Sequence, residues 1–205
     1  RVGESRYYLG NVAEKNDEID LAIKEYKQVG RGYEFLPAQS RIADLLVEQG
    51  RIEEMHEHLS NMRGENPERA AQIFMIEAQV FSDRSMQDEV FDVLDNALEA
   101  ATDNIDLLYF RAMTGQKFDR LDIMERDLGR VIELEPENAD ALNALGYTLT
   151  DQTDRHEEAL VLIERALVIK PDEPAFIDSL GWAHYRLENF ELAVEHLRRA
   201  LSLFP

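Results

Sequence analysis

The feature that most restricts the fold of this chain is a set of small and apolar residues that recurs about every 34 positions. The first members of the successive sets are Ala22, Met55, Val90, Met124, Ala159 and Ala193. The steps between them are 33, 35, 34, 35 and 34 residues. Five near-equal steps are not expected by chance, so the sequence contains six copies of one repeat.

Within each copy the apolar spacing predicts two helices. In the fifth copy, Leu142, Gly146 and Leu149 fall on one helical face. A second helical face follows, made of Leu160, Ile163, Ala166, Leu167 and Ile169. Pro171 ends this second helix because its ring removes a donor and clashes with the preceding turn. No segment alternates apolar and polar residues as a strand does, so each copy is predicted to be a helical hairpin.

The repeat resembles the tetratricopeptide repeat (TPR), whose pattern is W-x2-L-G-x2-Y, A-x3-F and P over 34 residues. The motifs that carry the resemblance are "ALNALGYTL" with "EEALVLIERALVIKP", "FIDSLGWAHY" with "ELAVEHLRRALSLFP", and "YYLGNVAEKNDEIDLAIKEY" in the first copy. The middle copies have Ala43, Ala78 and Ala112 where the family usually has Gly. The resemblance implies an all-α, right-handed superhelical solenoid of about six hairpins, or about twelve antiparallel helices, in one domain over residues 1–205. The implied repeats are about 3–34, 37–67, 70–102, 104–136, 138–171 and 173–205.

The resemblance also implies a concave groove lined by the first helix of each hairpin. Carried over residue by residue, its predicted lining includes Tyr7, Asn11, Tyr109, Met113, Asn143, Tyr147, Asp178, Trp182 and Tyr185. Aromatic rings beside amide and carboxylate groups suit an extended peptide, because rings bury area at little entropic loss and polar groups bind the backbone. Trp182 is the only tryptophan, and two interpretations of it stay open: it lines the groove, or it is buried between helices.

The composition restricts the partners and the chemistry. Lys and Arg number 22 against 42 Asp and Glu, and the net charge of −20 repels nucleic-acid phosphates and anionic lipids. We therefore expect no nucleic acid and no direct membrane contact. The chain has no cysteine, no Gly-rich phosphate loop, no G-x-S-x-G and no H-E-x-x-H, so the sequence predicts no enzyme, no cofactor and no metal site. His56 and His58 point to different sides of a helix and cannot share an ion unaided.

These observations favour a non-enzymatic scaffold or adaptor that holds an extended segment of a partner protein. The quoted motifs are also similar to those of TPR lipoproteins of Gram-negative bacteria, which face the periplasm from the outer membrane. Some of these present substrates to a carboxyl-terminal processing protease. This resemblance implies a periplasmic location at the outer membrane, with a cytoplasmic one as the alternative, and the protease or its substrates as partners. Two other functions stay open: a regulatory repeat domain of a larger enzyme, and a structural subunit of a pilus or envelope complex.

The last predicted helix carries an apolar stripe made of Phe190, Val194, Leu197 and Leu201. An apolar stripe that no further hairpin covers stays in water, which favours association. We therefore expect more hairpins after Pro205 in the native protein, and we expect the present chain to self-associate through this stripe or to be only marginally soluble.

Overall fold

The computed structural model describes residues 2–203, and Pro205 of the predicted sixth repeat lies outside them. These described residues form twelve α-helices, one short 3-10 turn (Pro67–Arg69) and no β-strand. The helices are α1 (Val2–Lys15), α2 (Ile19–Tyr26), α3 (Phe35–Glu48), α4 (Ile52–Glu65), α5 (Ala70–Asp83), α6 (Gln87–Ala100), α7 (Ile105–Lys117), α8 (Leu121–Leu134), α9 (Ala139–Gln152), α10 (His156–Ile169), α11 (Pro174–Arg186) and α12 (Phe190–Leu203). The predicted all-α class and its helix count are confirmed.

The helices pack in two compact units, which divide between Leu107 and Leu108 inside α7. In the first unit α1 packs on α2, α3 on α4, and α5 on α6, while α3 also contacts α2 and α5. In the second unit α9 packs on α10, and α11 packs on α12, while α9 also contacts α8 and α11. Two pairs of first helices from successive hairpins therefore lie side by side, α3 with α5 and α9 with α11. The single domain and the repeat boundaries stay predictions.

Small residues allow the two helices of a hairpin to approach closely. At Gly146 of α9, an added Cβ would lie 2.7 Å from the Cγ1 of Ile163 and 2.9 Å from the carbonyl oxygen of Ala159. At Gly10 of α1 the ring of Tyr26 occupies the same kind of space, with its Cε1 2.4 Å from an added Cβ. The predicted small residue of the repeat therefore lies at the contact between α9 and α10, and between α1 and α2.

A left-handed residue ends the first helix in most of the hairpins that the described residues form. These residues and their φ angles are Asp17 (62°), Gly50 (70°), Ser85 (57°), Asp119 (55°) and Glu188 (61°). The next residue donates its N–H to a carbonyl five positions back, as Asn189 does to His184 at 2.9 Å. This is the Schellman arrangement, and it satisfies carbonyl groups that the end of a helix leaves free.

The α9–α10 hairpin differs because it has one more residue between the two positions where its helices make close contact. Gly146 and Ala159 are 13 positions apart, whereas Gly181 and Ala193, at the same places in the next repeat, are 12 apart. Thr153 ends α9 with an extended backbone (φ −138°, ψ 176°) instead of a left-handed one. The end of α9 therefore lacks the left-handed residue on which the Schellman hydrogen bond depends.

The guanidinium group of Arg186 binds carbonyl groups at this end of α9. Its Nη1 donates to the carbonyl oxygens of Thr150, at 2.8 Å, and Asp151, at 3.2 Å, across the contact between α11 and α9. A cation at the C-terminal end of a helix is also favoured by the helix dipole. Arg186 thus caps the first helix of the preceding repeat.

Two buried carboxylates are bound by basic side chains of a neighbouring helix. Asp127 of α8 is 1% exposed and accepts hydrogen bonds of 2.6 and 2.9 Å from Arg111 of α7. Glu77 of α5 is 2% exposed and is bound by Arg63 and by the Nδ1 of His56, both from α4. A buried charge is tolerated only when it is paired in this way, so these pairs fix the position of the helices that carry them.

Candidate functional site

The predicted groove residues of α9 and α11 lie together in the second unit, on what we call the α9–α11 face. This face consists of Asn143, Tyr147, Asp178, Trp182 and Tyr185. Tyr147 is 36% exposed and Tyr185 49% exposed, Asp178 is exposed, and Asn143 and Trp182 are half-buried. The neighbouring stripe of α11 is buried and consists of Ile177, Leu180, Gly181 and His184. One stripe of the helix is thus in the core, and the stripe beside it is available to a partner.

The rings of this face form a stacked cluster. Trp182 and Tyr185 are nearly parallel, with centroids 5.2 Å apart and planes at 12°. Phe190 meets Tyr185 edge-on at 5.8 Å, and the guanidinium of Arg186 lies 5.9 Å from the Trp182 centroid. Stacking and cation–π contacts each contribute about 0.5 to 1.5 kcal/mol, so the rings are held in place before any ligand binds.

The Tyr147 hydroxyl is influenced by the charges of two carboxylates. Burial raises the pKa of Tyr147, and the negative charges of Asp151 and Asp178 raise it further. The hydroxyl is therefore a neutral donor beside two carboxylates. The Oδ1 of Asn143 and the Nε1 of Trp182 are covered and have no hydrogen-bond partner within residues 2–203.

Two residues of this site were missed in the sequence prediction. Asp151 lies four positions after Tyr147, and Arg186 lies four positions after Trp182. Residues four apart share a helical face, so the same periodicity that selected Tyr147 and Trp182 could have selected both. The capping role of Arg186 could not have been found in this way, because its carbonyl partners belong to another repeat.

The predicted residues of the fourth repeat lie on α7. Tyr109 and Met113 are both half-buried. Burial raises the pKa of Tyr109, as does the charge of Asp140, while Lys170 opposes this shift. Lys170 itself forms an ion pair of 2.7 Å with Asp140. Both charges near Tyr109 are therefore already paired.

In the first unit the predicted residues Tyr7 and Asn11 lie on α1 and are half-buried. The ring of Tyr7 is 5.6 Å from that of Tyr26, a fully buried residue of α2. The hydroxyl of Tyr26 lies 2.6 Å from the Oδ1 of Asn11 and 2.8 Å from the Oε2 of Glu14. The polar end of Asn11 is therefore engaged inside its own hairpin.

The predicted stripe of α12 is mostly exposed. The exposed fraction is 56% for Phe190, 46% for Val194 and 71% for Leu201. Leu197 is half-buried, because its side chain packs over Gly181, where an added Cβ would lie 2.7 Å from the Leu197 Cγ. Leu197 therefore belongs to the contact between α11 and α12 as well as to the stripe.

The histidines of α4 are engaged separately. The Nδ1 of His56 is bound to Glu77, and the Nε2 of His58 lies 2.7 Å from the Oε1 of Gln39. No group of three or more His, Asp and Glu side chains among the described residues is arranged to hold a metal ion. Over the same residues, none of the helices has both the length and the apolar character needed to cross a bilayer.

Comparison with known proteins tests the predicted repeat. Residues 125–174 and 175–205 each match a family model described as tetratricopeptide repeat. Residues 125–205 contain TPRs. The predicted TPR resemblance is thereby confirmed, while the narrower resemblance to outer-membrane lipoproteins stays a prediction.

Relatives and solved structures agree with this assignment. Over 204 residues the chain is 42% identical to the TPR repeat-containing protein PA4667 of Pseudomonas aeruginosa, and it spans 35% of the length of that protein. The crystal structure of BtubC from P. vanneervenii has a similar fold, with a TM-score of 0.67 and 17% identity over 99% of this chain and 89% of BtubC. YrrB, a TPR protein with an unusual peptide-binding site, has a TM-score of 0.57 and 20% identity over 98% of this chain and 85% of YrrB.

Proposed function

We propose that this chain is a non-enzymatic scaffold that binds an extended segment of another protein on the first helices of its repeats. The α9–α11 face is the principal contact. TPR hairpins offer a long surface of parallel helices, which suits an extended ligand. The observation that carries the proposal is the pre-stacked pair of Trp182 and Tyr185 beside Tyr147, Asn143 and Asp178.

The physical reason is that this face combines large rings with groups that bind a peptide backbone. Aromatic residues dominate the energetics of protein interfaces, and rings held in place lose little entropy when they bind. The Tyr147 hydroxyl can donate to a peptide carbonyl, and the Asp178 carboxylate can accept from a peptide N–H. Such groups select an extended backbone and fix its direction.

A peptide-capture experiment tests this proposal. The immobilised chain is offered peptides from a protease digest of bacterial envelope proteins, and retained peptides are identified, resynthesised and titrated. We expect Trp182→Ala and Tyr147→Ala each to weaken binding by about 1 to 3 kcal/mol, as for an aromatic hot spot. Tyr33→Ala is the matched control, because Tyr33 is a fully exposed aromatic residue in the first unit, and it should bind as the wild type does.

Circular dichroism of every variant separates a binding defect from a folding defect. Tyr185→Ala serves as a second test, because half of this side chain is exposed and its removal leaves the core intact. Equal affinities of wild type, Tyr147→Ala and Tyr185→Ala would show that the α9–α11 face is not the contact.

We further propose that the chain acts as a periplasmic adaptor, which presents such segments to a carboxyl-terminal processing protease. The similarity of its motifs to those of TPR lipoproteins of Gram-negative bacteria supports this role. The test measures cleavage of an unfolded substrate by such a protease, with and without the chain. We expect acceleration by the wild type and by Tyr33→Ala, and less by Tyr147→Ala. If cleavage is equally fast with and without the chain while peptide binding holds, the adaptor role is wrong and the scaffold function stands.

A further inference from the structure

Two histidines lie against each other at the contact between α11 and α12. The rings of His184, on α11, and His196, on α12, are nearly parallel, with centroids 5.4 Å apart and planes at 13°. His184 is 8% exposed, and His196 is half-buried. The Nδ1 atom of each ring is covered, and neither Nδ1 has a hydrogen-bond partner in the part of the chain that the structure describes. The α11–α12 contact therefore contains two imidazoles whose covered nitrogens are unbound.

These covered nitrogens make protonation unfavourable while α12 is docked on α11. A neutral imidazole has one N–H, whereas the protonated ring has an N–H on both nitrogens. Protonation therefore places a donor where no acceptor or water reaches it, and a charge or donor left unpaired away from water is costly. Two positive charges on stacked rings also repel each other. The docked helix thus favours neutral rings.

The charged groups of the packed helices act on His184 in a known direction. Burial lowers the pKa of His184, the charge of His196 lowers it further, and the carboxylate of Glu164, on α10, opposes this shift. At the contact with α9, Arg186 is held by carbonyl groups of that helix. A histidine in the unfolded chain has a pKa of about 6.5. Below this pH the undocked state binds more protons than the docked state, so docking weakens as the pH falls.

Helix α12 supports the ring cluster of the α9–α11 face. Phe190, at the start of α12, meets the ring of Tyr185 edge-on at 5.8 Å, and Leu197 packs over Gly181 of α11. Tyr185 in turn stacks on Trp182. Separation of α12 from α11 removes Phe190 from this cluster, so the rings are no longer held in place before a ligand binds.

We propose, on the basis of the peptide-binding function above, that His184 and His196 form an acid-sensitive latch between α11 and α12. The latch keeps the α9–α11 face assembled at neutral pH, and protonation of the two rings releases α12 and with it the bound segment. The buried residues of α12 are Ala193 and Ala200, and because both are small, docking of this helix is weak enough to be reversed by the loss of the latch.

Hydrogen exchange and peptide titration at pH 7.5 and pH 5.5 test the latch. The proteins are the wild type, His196→Gln, His184→Gln/His196→Gln, and the control His58→Gln, which removes a histidine of the first unit. Relative to α10, exchange protection of α12 should fall roughly tenfold in the wild type and in the control, since each proton changes an equilibrium by at most tenfold per pH unit. The change should be less than twofold in the double variant and intermediate in His196→Gln. Circular dichroism at pH 7.5 establishes that each variant is folded.

The titration uses a resynthesised peptide that the wild type captures at pH 7.5. Its affinity for the wild type and for the control should fall at least threefold at pH 5.5, because the apparent affinity is proportional to the docked fraction. The double variant, if folded, and otherwise His196→Gln, should lose less affinity than the wild type does.

The other outcomes overturn the inference in distinguishable ways. If the exchange of α12 relative to α10 is the same at both pH values, the histidines do not control docking. If α12 loosens while peptide affinity stays constant, the face does not depend on α12. If the histidine variants lose as much affinity as the wild type, other groups cause the pH dependence. In these three cases binding at pH 7.5 persists and the proposed function stands, whereas a wild type that binds no peptide at pH 7.5 refutes the proposed function and its regulation together.

Discussion

Single methyl groups decide how closely the hairpins pack. At Gly146 the obstacle to a Cβ includes the backbone carbonyl of Ala159, which no side-chain rotation can move. At Gly129, inside α8, an added Cβ meets nothing within 4 Å. A methyl group is therefore obstructed at Gly146 and free of contacts at Gly129.

Alanine substitutions at these two positions should have opposite effects. Gly146→Ala should lower the free energy of unfolding by about 1 to 3 kcal/mol, because the helices must separate to admit the methyl group. Gly129→Ala should raise it by about 0.5 to 1 kcal/mol, because alanine loses less backbone entropy in a helix. Urea unfolding followed by circular dichroism measures both values. A shift of the same sign in both variants would contradict the contact at Gly146.

His58 should make stability depend on pH. Burial lowers the pKa of His58 to about 4, with the charge of Lys27 adding to this effect and Glu54 opposing it. In the unfolded chain the pKa is about 6.5. Between these values the unfolded state binds more protons, so stability is fully present above pH 6.5 and is lost as the pH falls towards 4.

The size of this effect is obtained by comparison with His58→Gln, which does not titrate and can still bind Gln39. At about 1.4 kcal/mol per pH unit, the wild type should lose about 2 to 3 kcal/mol more than the variant between pH 7 and pH 4.5. Carboxylates that titrate in the same range affect both proteins equally. Parallel stability curves for the two proteins would show that His58 takes up a proton without cost.

The helices could be predicted from the sequence, whereas the structures at their ends could not. The apolar period predicted each helix, because burial of one face sets the spacing of residues on it. The left-handed residues at the hairpin turns were not predicted, because Asp17, Ser85 and Glu188 take a conformation that a glycine signal would normally mark. The cap on α9 was not predicted either, since Arg186 is 35 positions from Asp151 and only the packed structure brings them together.

Arg186→Ala should destabilise the second unit by about 1 to 3 kcal/mol, because the carbonyls of Thr150 and Asp151 lose a charged donor. Hydrogen exchange should rise at the α9–α10 turn more than elsewhere. Arg198→Ala, on the exposed surface of α12, is the control and should stay within about 0.5 kcal/mol of the wild type. If exchange at this turn is the same in Arg186→Ala and Arg198→Ala, the cap has no energetic role.

For the whole molecule, the fold was predictable and the site only in part. Ala43, Ala78 and Ala112 are each 0% exposed, so the small residue is buried also in the predicted copies whose motifs are weak. The stacking of Trp182 on Tyr185 was not predictable, because side-chain rotation at an exposed face does not follow from spacing. The Trp182 ring is half-buried and also belongs to the exposed face, which combines the two interpretations that the sequence left open.

Assembly should depend on the stripe of α12. Val194 and Leu201 are exposed on one side of the helix, and burial of such side chains contributes about 1.5 to 3 kcal/mol each when complete. We therefore expect concentration-dependent self-association in sedimentation velocity. Val194→Glu/Leu201→Glu should be more monomeric at equal helicity, whereas Glu195→Gln, on an adjacent exposed position, should associate as the wild type does. A wild-type chain that stays monomeric at high concentration would exclude this contact.

The cap that α11 places on α9 bears on the order in which the chain folds. A hairpin with a left-handed turn completes its own backbone hydrogen bonds, so it can close before its neighbour has formed. The α9–α10 hairpin completes them only once Arg186 has docked. During synthesis, where the N-terminal segments emerge first, this hairpin stays incomplete until α11 has left the ribosome. The α9–α10 and α11–α12 hairpins should therefore fold and unfold as one cooperative step. The hairpins with left-handed turns can instead close one at a time.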